Sequence, residues 1–576
     1  MNNETKWLLQ WFKTNENLSL IKSLNINPET HKYYPNQSSR QVKSGHYVST
    51  ESTPLRDPYL VTFSLPMATS IGLTSEICKS MPFILMFSGD YNKNNWATPY
   101  ALSIYGREMY SNCPFKNDTG YGDGRAMSLT EIVIDGNRWE LQLKGCGKTP
   151  FSRTGDGRAV LRSSVREFLV SEAMFHLNVK TTRALSLLAS DTETVLRPWF
   201  SNKEQQNIKQ KHDIMQQSKC AVLCRAASSF IRVGHLELFS RRVRSSNNDD
   251  KIFRLKELEL MAEHVIFREY NYLTSIQNLN LQEKIIMMLK NASNKFAKLV
   301  ADWLRIGYVQ GNYNSDNCHV GGITIDYGPF GFMGKFKALW NPWIDGGPKY
   351  AFLNQMYAND KNFNSFVDSV LPLLDEQYSE LAENIKRNHL VIVIDTCNQM
   401  WAEKMGFSEF DENVAMIKYE LFELMEMCDA DYTLFWRQLA NILENNNNNN
   451  NDNLFELLND CFYRELATNE KNKWIVWIKL WLAKITQMAI DNNITTTEIA
   501  QKMKRVSPKF VPRDWMLTMA SDAANNGDFN VINELQKLFE TPYDEHINDN
   551  LSNKYYKKEE GYNNHNPKNN GNSFIS

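Results

Sequence analysis

Residues 131–144 alternate apolar and polar side chains on both sides of Asp135-Gly136, running from Glu131 to Lys144. Alternation with period two gives each strand one apolar face, and Asp-Gly between two such runs is the strongest short-range signal for a hairpin. The pattern therefore predicts two antiparallel strands, the second ending at Lys144. Paired glycines flank the hairpin: Gly122-Asp123-Gly124-Arg125 before it, then Gly145-Cys146-Gly147-Lys148 and Gly155-Asp156-Gly157-Arg158 after it. Such pairs most often make turns, but each of these also carries a cation and lets backbone approach a phosphate. A helix is predicted over about residues 160–177, with Leu161, Val165, Phe168, Leu169 and Ala173 as its buried stripe.

A strand lysine followed by a helix glutamate is the arrangement that orients phosphates in kinases. Two glutamates are available. Glu172 falls within the apolar stripe and Glu167 on a different face, so the helical wheel does not choose between them. A further extended run, Ala221 to Arg225, leads to Phe230-Ile231-Arg232. The guanidinium fork suits phosphate oxygens; as surface ion pairs, the same arginines would be worth at most about 1 kcal/mol.

Downstream, an apolar-periodic segment over about residues 283–306 precedes Asn314-Ser315-Asp316-Asn317, and Gly322 to Ile325 reads as a short strand leading into Asp326-Tyr327-Gly328-Pro329. Asn, Asp and Gly are ordinary turn residues. On two neighbouring loops, however, they bring an amide oxygen (Asn317) and a carboxylate (Asp326) together with a second carboxylate (Asp316). Mg²⁺ takes oxygen ligands and binds through one or two protein groups plus phosphate oxygens, which is what this set can offer.

Taken together, these blocks make the chain resemble the selenoprotein O family. The matching stretches are Gly122 to Ala126, Glu140 to Arg153, Asp156 to Leu169, Ser228 to Arg232, Asn314 to Asn317, Thr324 to Phe332, Asn526-Gly-Asp528 and Pro542-Tyr-Asp-Glu545. They keep the family's order across roughly residues 25–545. The resemblance implies a kinase-like, bilobal α/β (α+β) fold with a strand-rich N-lobe and a helical C-lobe. It implies transfer of AMP from ATP to protein hydroxyls. Carried over by position, ATP contacts fall on Gly122, Gly124, Arg125, Lys144, Asp156, Gly157, Arg225, Arg232 and Asp326. The Lys–Glu pair falls on Lys144 with Glu167, the proton acceptor on Asp316, and the ligands of Mg²⁺ or Mn²⁺ on Asn317 and Asp326. A mitochondrial location is implied by the resemblance alone, with the cytoplasm as the alternative.

The chain departs from the family in places. A Tyr-Gly-Gly-His-Gln-Phe-Gly run is usual before the glycine-rich loop, whereas here Tyr105-Gly106-Arg107-Glu108-Met109-Tyr110 leads into a longer polar stretch. The usual His-Gly before the catalytic loop is Gln310-Gly311. Asp316 and Asn317 are adjacent, which is not the protein kinase spacing, and no cysteine follows Cys461.

Composition narrows the remaining classes. The 576 residues are 42% hydrophobic and 23% charged, with a formal net charge of −2, enough for a large core. No dense Lys/Arg block marks a nucleic-acid or anionic-membrane surface, and no run approaches the ~18 apolar residues of a membrane span. Nine scattered cysteines argue against a disulfide framework, and Cys220 and Cys224 read as core thiols. Residues 1–25 are predicted to form an amphipathic helix carrying Trp7, Leu8, Trp11, Phe12 and Leu18. Residues 26–365 form the core and 366–545 a helical C-terminal region, including a helix over 472–490 and a capping box at Thr495-Thr-Thr-Glu498. Polar loops are expected at 202–218 and 245–252, and disorder in the asparagine tract 445–453 and in the tail, which begins between 546 and 554.

The expectation is therefore a protein adenylyltransferase acting on Ser, Thr or Tyr hydroxyls. A phosphotransferase using the same site and a non-catalytic nucleotide-binding scaffold are the rivals.

Overall fold

The computed structural model describes residues 3–91, 93–109, 121–198, 215–343, 346–445, 455–546 and 550–558. The expected hairpin is present. Ala126–Ile134 pairs antiparallel with Asn137–Lys144, Ala126 lying opposite Lys144. At its turn Asp135 (φ 49°) and Gly136 (φ 76°) both take the left-handed conformation that a type I′ turn demands. The hairpin is the centre of an antiparallel sheet in the order Val48–Ser49, Trp96–Ala97, Ala126–Ile134, Asn137–Lys144, Met215–Ala227, Arg183–Pro198, Tyr59–Phe63. Ala159–Val160 pairs with Met215–Ala227 as well.

Alternation gives the two faces of this sheet different duties. Leu141, Leu143, Met127, Val222 and Cys224 point into an apolar layer closed by Leu8, Trp11, Phe12, Phe83 and Phe87. Gln142 and Lys144 share the other face, and Arg225 stands opposite Gln142 in the neighbouring strand. Buried polar groups are costly without partners, so this second face fixes what lies against it. Leu161–His176 covers it, and nearly every residue of that helix is buried. The reason is that the chain returns: Asp514 meets Arg166 at 3.1 Å and Ser521 Oγ donates to the Arg162 carbonyl at 3.3 Å. The main core runs from Leu20 to Tyr555 without a break, so the C-terminal helices belong to the same packed unit as the sheet.

Leu281–Ile306 opens with an Asn280/Glu283 capping box and closes at Gly307 in the left-handed region. Tyr308–Gln310 follows and pairs with Phe330–Phe332. Everything between, residues 311–329, is one excursion whose two ends are pinned together. Eight longer helices then build the C-terminal part among the described residues: Gln355–Val370, Glu376–Lys404, Glu412–Met427, Tyr432–Asn445, Thr468–Asp491, Thr496–Val506, Asp514–Asn525 and Asn530–Glu540, Thr496–Val506 with the expected Thr495/Glu498 box. Among the described residues no helix is long and apolar enough to cross a membrane.

Several expectations are corrected. The N-terminal helix is two, Asn3–Asn15 and Ser19–Ser23, because Glu131 captures the chain between them: its carbonyl accepts from Asn17 N–H and its carboxylate from Ser19 N–H, each at 2.8 Å. Gly322 to Ile325 is no strand. Only Thr324 bridges, to Thr181 and Cys318. Residues 215–218 continue a long strand paired with 195–198. Residues 248–252 open the helix Asn248–Glu269, which Asn247 caps through Asp250 N–H with two acids in the first turn. Residues 550–558 pack: Asn550–Tyr555 is helical, Tyr555 is buried, and Lys554 pairs with Glu534 at 2.6 Å. The expectations for 110–120, 202–214, 446–453 and 559–576 lie outside the described residues.

Candidate active site

The strand Asn137–Lys144 delivers Lys144 to the edge of a cleft of about 600 Å³, and eleven of the residues singled out from the sequence line it. They are Gly122, Gly124, Arg125, Lys144, Asp156, Gly157, Arg225, Arg232, Asp316, Asn317 and Asp326. Glu167 lies behind this wall, on the buried helix. Its Oε2 accepts from Lys144 Nζ at 2.6 Å, and Lys144 also reaches Asp326 Oδ1 at 3.1 Å. Which glutamate serves the lysine is thereby decided: Glu172 is turned away, held by Arg183 at 2.6 Å and by Ser64 Oγ.

Arg225 adds a second cation to the same node. It donates to Glu167 Oε1 at 3.3 Å and to the Ile325 carbonyl at 3.1 Å, and it also holds Gln142. The Ile325 contact ties the sheet to the loop carrying Asp326. Burial works against the charge of Asp326, but the Lys144 ammonium and the Arg225 and Arg232 guanidiniums outweigh it. They hold its carboxyl well below the usual carboxylate range. Gly328 N–H fixes the other oxygen at 3.1 Å.

Asp316 lies in a different environment. Ser315–Asn317 is a single 3-10 turn, anchored by Ser103 N–H donating to the fully buried Ser315 Oγ at 2.8 Å. Asp316 Oδ2 accepts from the Tyr121 phenol at 2.7 Å, while Oδ1 is buried with no partner among the described residues. Burial pushes its pKa up to about 6, against the Tyr121 hydrogen bond and the Arg232 charge, which both act to lower it. A buried carboxylate with one unused oxygen is suited to take a proton.

Arg232 is built in by its own chain of bonds. It pairs with Asp123 Oδ1 at 3.0 Å and lies over the Tyr100 ring at 4.4 Å. Thr98 Oγ1 donates to the other Asp123 oxygen at 2.6 Å, and His235 Nε2 lies 3.0 Å from that hydroxyl. Burial, followed by the Arg232 charge, drives the His235 pKa down to about 3, so the ring is neutral and holds the chain without competing for charge.

Gly157 is required by crowding. It has φ 76°, and a Cβ there would come within 2.2 Å of the Gly147 carbonyl carbon. This is close packing between two of the predicted glycine turns, which brings their backbones into one wall of the cleft. Asp156 is gripped by Arg197 through two bonds of 2.7 and 2.8 Å and accepts from Arg158 N–H at 2.9 Å. Arg197 received no attention from sequence reasoning, and neither did Tyr100 or Tyr121. Asp123, Lys148 and Arg153 stood in quoted motifs without a role. Among the described residues, eight Lys and Arg side chains line the cleft against four Asp, an excess suited to a polyanionic ligand.

Among the described residues no three His, Cys, Asp or Glu side chains converge as a metal cage. The donors of the cleft fit a hard divalent ion that completes its shell with phosphate oxygens: the Asp326 carboxylate, and the Asn317 amide, whose Nδ2 donates to the Asn312 carbonyl at 3.0 Å, so that its oxygen could serve as a ligand.

A cation-rich cleft, a lysine paired with a buried glutamate and a carboxylate with one unpartnered oxygen are groups that transfer chemistry on a polyanionic ligand can use. The sequence model described as Protein adenylyltransferase SelO matches residues 30–540, and the chain belongs to that family. The protein nucleotidyltransferase YdiU of Flavobacterium johnsoniae is 32% identical over 512 residues, covering 88% of this chain and 90% of the relative. The YdiU proteins of Rhodopirellula baltica (32% over 526 residues, 89% and 91% covered) and Methylobacillus flagellatus (32% over 537 residues, 91% and 93% covered) are similar to the same extent. These relatives are bacterial and give no support to a mitochondrial location.

Proposed function

We propose that the chain is a protein adenylyltransferase which binds ATP in the cleft and transfers AMP to a Ser, Thr or Tyr hydroxyl of a protein substrate, releasing pyrophosphate. The observation that carries this reading is Lys144 held between Glu167 and Asp326, with the Asp316 carboxylate on the same cleft. In this reading the fold is kinase-like and bilobal. The strand-rich lobe carries Lys144 and Glu167, the helical lobe carries Asp316, Asn317 and Asp326, and residues 366–545 extend the helical lobe. The bacterial relatives favour the cytoplasm.

Lys144, Arg225 and Arg232 hold the triphosphate, with Gly122, Gly124, Arg125, Asp156 and Gly157 completing the nucleotide contacts. Fixed positive charge in a site shielded from water stabilises the charge that develops on the leaving pyrophosphate, commonly the largest contribution to such catalysis. Asn317 and Asp326 would hold Mg²⁺ or Mn²⁺, which when bound neutralises phosphate oxygens. Asp316 takes the proton of the attacking hydroxyl, a contribution of the order of 10²–10⁴ in rate.

Incubation with ATP and a divalent metal, followed by intact mass analysis of the chain and of candidate acceptors, tests the reading. An adenylyl increment is expected. A phosphoryl increment would mean γ-phosphate transfer from the same site, and ATP binding with no increment would leave a nucleotide-binding scaffold.

A further inference from the structure

Tyr121 has no part in the nucleotide contacts described above, yet two contacts fix its ring and a third its backbone. The Arg153 guanidinium lies over it, 4.6 Å from the ring centroid. Tyr100 meets it edge-on, with centroids 5.6 Å apart and planes at 67°. Its backbone carbonyl accepts from Tyr100 N–H at 3.1 Å. A ring so held aims its hydroxyl, and that hydroxyl donates to Asp316 Oδ2 at 2.7 Å. Burial, then the Asp316 charge, raises the phenol pKa well above its ordinary value, so Tyr121 keeps its proton and remains a donor.

The two oxygens of Asp316 are therefore unequal: Oδ2 is taken and Oδ1 is buried without a partner among the described residues. We propose that Tyr121 is a positioning residue on the acceptor side of the cleft: by occupying Oδ2 it makes Oδ1 the oxygen that receives the proton of the incoming protein hydroxyl. The inference rests on the adenylyl-transfer reading and adds to it the group that orients the proton acceptor. In the step itself the acceptor O–H bond breaks and its proton passes to Oδ1. The oxygen's electron pair forms the bond to the α-phosphorus, and the bond from that phosphorus to the bridging oxygen breaks, its electrons leaving with pyrophosphate. Tyr121 donates one hydrogen bond throughout and is unchanged at the end. Without it the carboxylate can rotate, and either oxygen can turn away from the hydroxyl.

Tyr121→Phe keeps the ring, and with it the contacts to Arg153 and Tyr100, while deleting only the hydroxyl. Initial rates of AMP incorporation into the acceptor identified by mass analysis, at varied ATP, should show kcat lowered about tenfold or more, the low end for a hydrogen bond to a charged group. KM for ATP and the thermal midpoint should stay at their wild-type values. Wild-type kcat in Tyr121→Phe overturns the inference alone, as does a fall in kcat accompanied by an equal loss of ATP affinity or by a lowered midpoint, the signature of a merely structural role. A wild-type protein that transfers no adenylyl group overturns the parent reading and this inference with it.

Discussion

Lys144 Nζ and Glu167 Oε2 stand 2.6 Å apart in a buried node that joins a sheet, a helix and the loop of Asp326. Neither partner is spare. Glu167 also takes Arg225 at 3.3 Å, so one carboxylate orients two of the cations that face the cleft from the sheet.

The pair has a measurable signature. Lys144→Ala should weaken ATP binding by on the order of 1.5–3 kcal/mol, the range for hydrogen bonds to charged groups. Glu167→Ala should weaken it too, but lose much of its effect when Lys144 is already Ala, because the two act as a unit. Calorimetry on the four proteins decides it, and additive losses would reject the pair. Glu172→Ala should behave differently. It strands Arg183, which is buried, so stability should drop by roughly 3–5 kcal/mol with ATP affinity of the folded protein retained.

This contrast also shows where sequence reasoning ran out. Lys144 was legible because a period-two pattern places a strand end, but Glu167 and Glu172 were not separable because Leu161–His176 is buried on nearly every face, and a wheel needs a solvent side to read. The choice rests on Arg183, a strand partner beyond the helix. Arg197 carried no local signal at all, since its partner Asp156 lies 41 residues earlier. Gly322 to Ile325 alternates like a strand, yet the chain around it spends its hydrogen bonds on Lys180, Thr182 and His319 in isolated bridges and turns. Asn247 to Asp250 has a loop's composition and is a helix start, because capping residues and turn residues are the same residues.

Arg232 separates a binding role from a surface ion pair. It is buried against Asp123 and Tyr100, so Arg232→Ala should cost on the order of 1.5–3 kcal/mol in ATP binding, whereas an exposed pair would give less than about 1 kcal/mol. Titration calorimetry reads the difference directly, and a loss in the lower range would remove Arg232 from the nucleotide site.

Asp326→Ala should abolish transfer. It removes the carboxylate assigned to the divalent ion and also frees Lys144 from its second partner, so phosphate charge is left under-neutralised. Transfer at a near wild-type rate, measured by AMP incorporation with Mg²⁺ or Mn²⁺, would take Asp326 out of the mechanism.

Acid should destabilise the helical part through His389. Its Nε2 lies 2.9 Å from Asn359 Oδ1 and its Nδ1 2.8 Å from Ser293 Oγ, so the ring donates to the amide oxygen, accepts from the hydroxyl and has no place for a second proton. Burial lowers its pKa from the ordinary 6.5 to about 3. Between those values the unfolded chain binds a proton that the folded chain refuses, so stability is lost as pH falls from about 6.5 towards about 3. The slope for one such group is about 1.4 kcal/mol per pH unit. His389→Gln abolishes the titration whatever it does to stability at neutral pH, and should therefore lose about 1.6 kcal/mol less than wild type between pH 6.5 and pH 5. His235 and His264, also held neutral by burial, remain in both proteins and cancel in the comparison. Denaturant unfolding of both proteins at the two pH values checks it, and equal losses would mean that His389 is protonated in the fold.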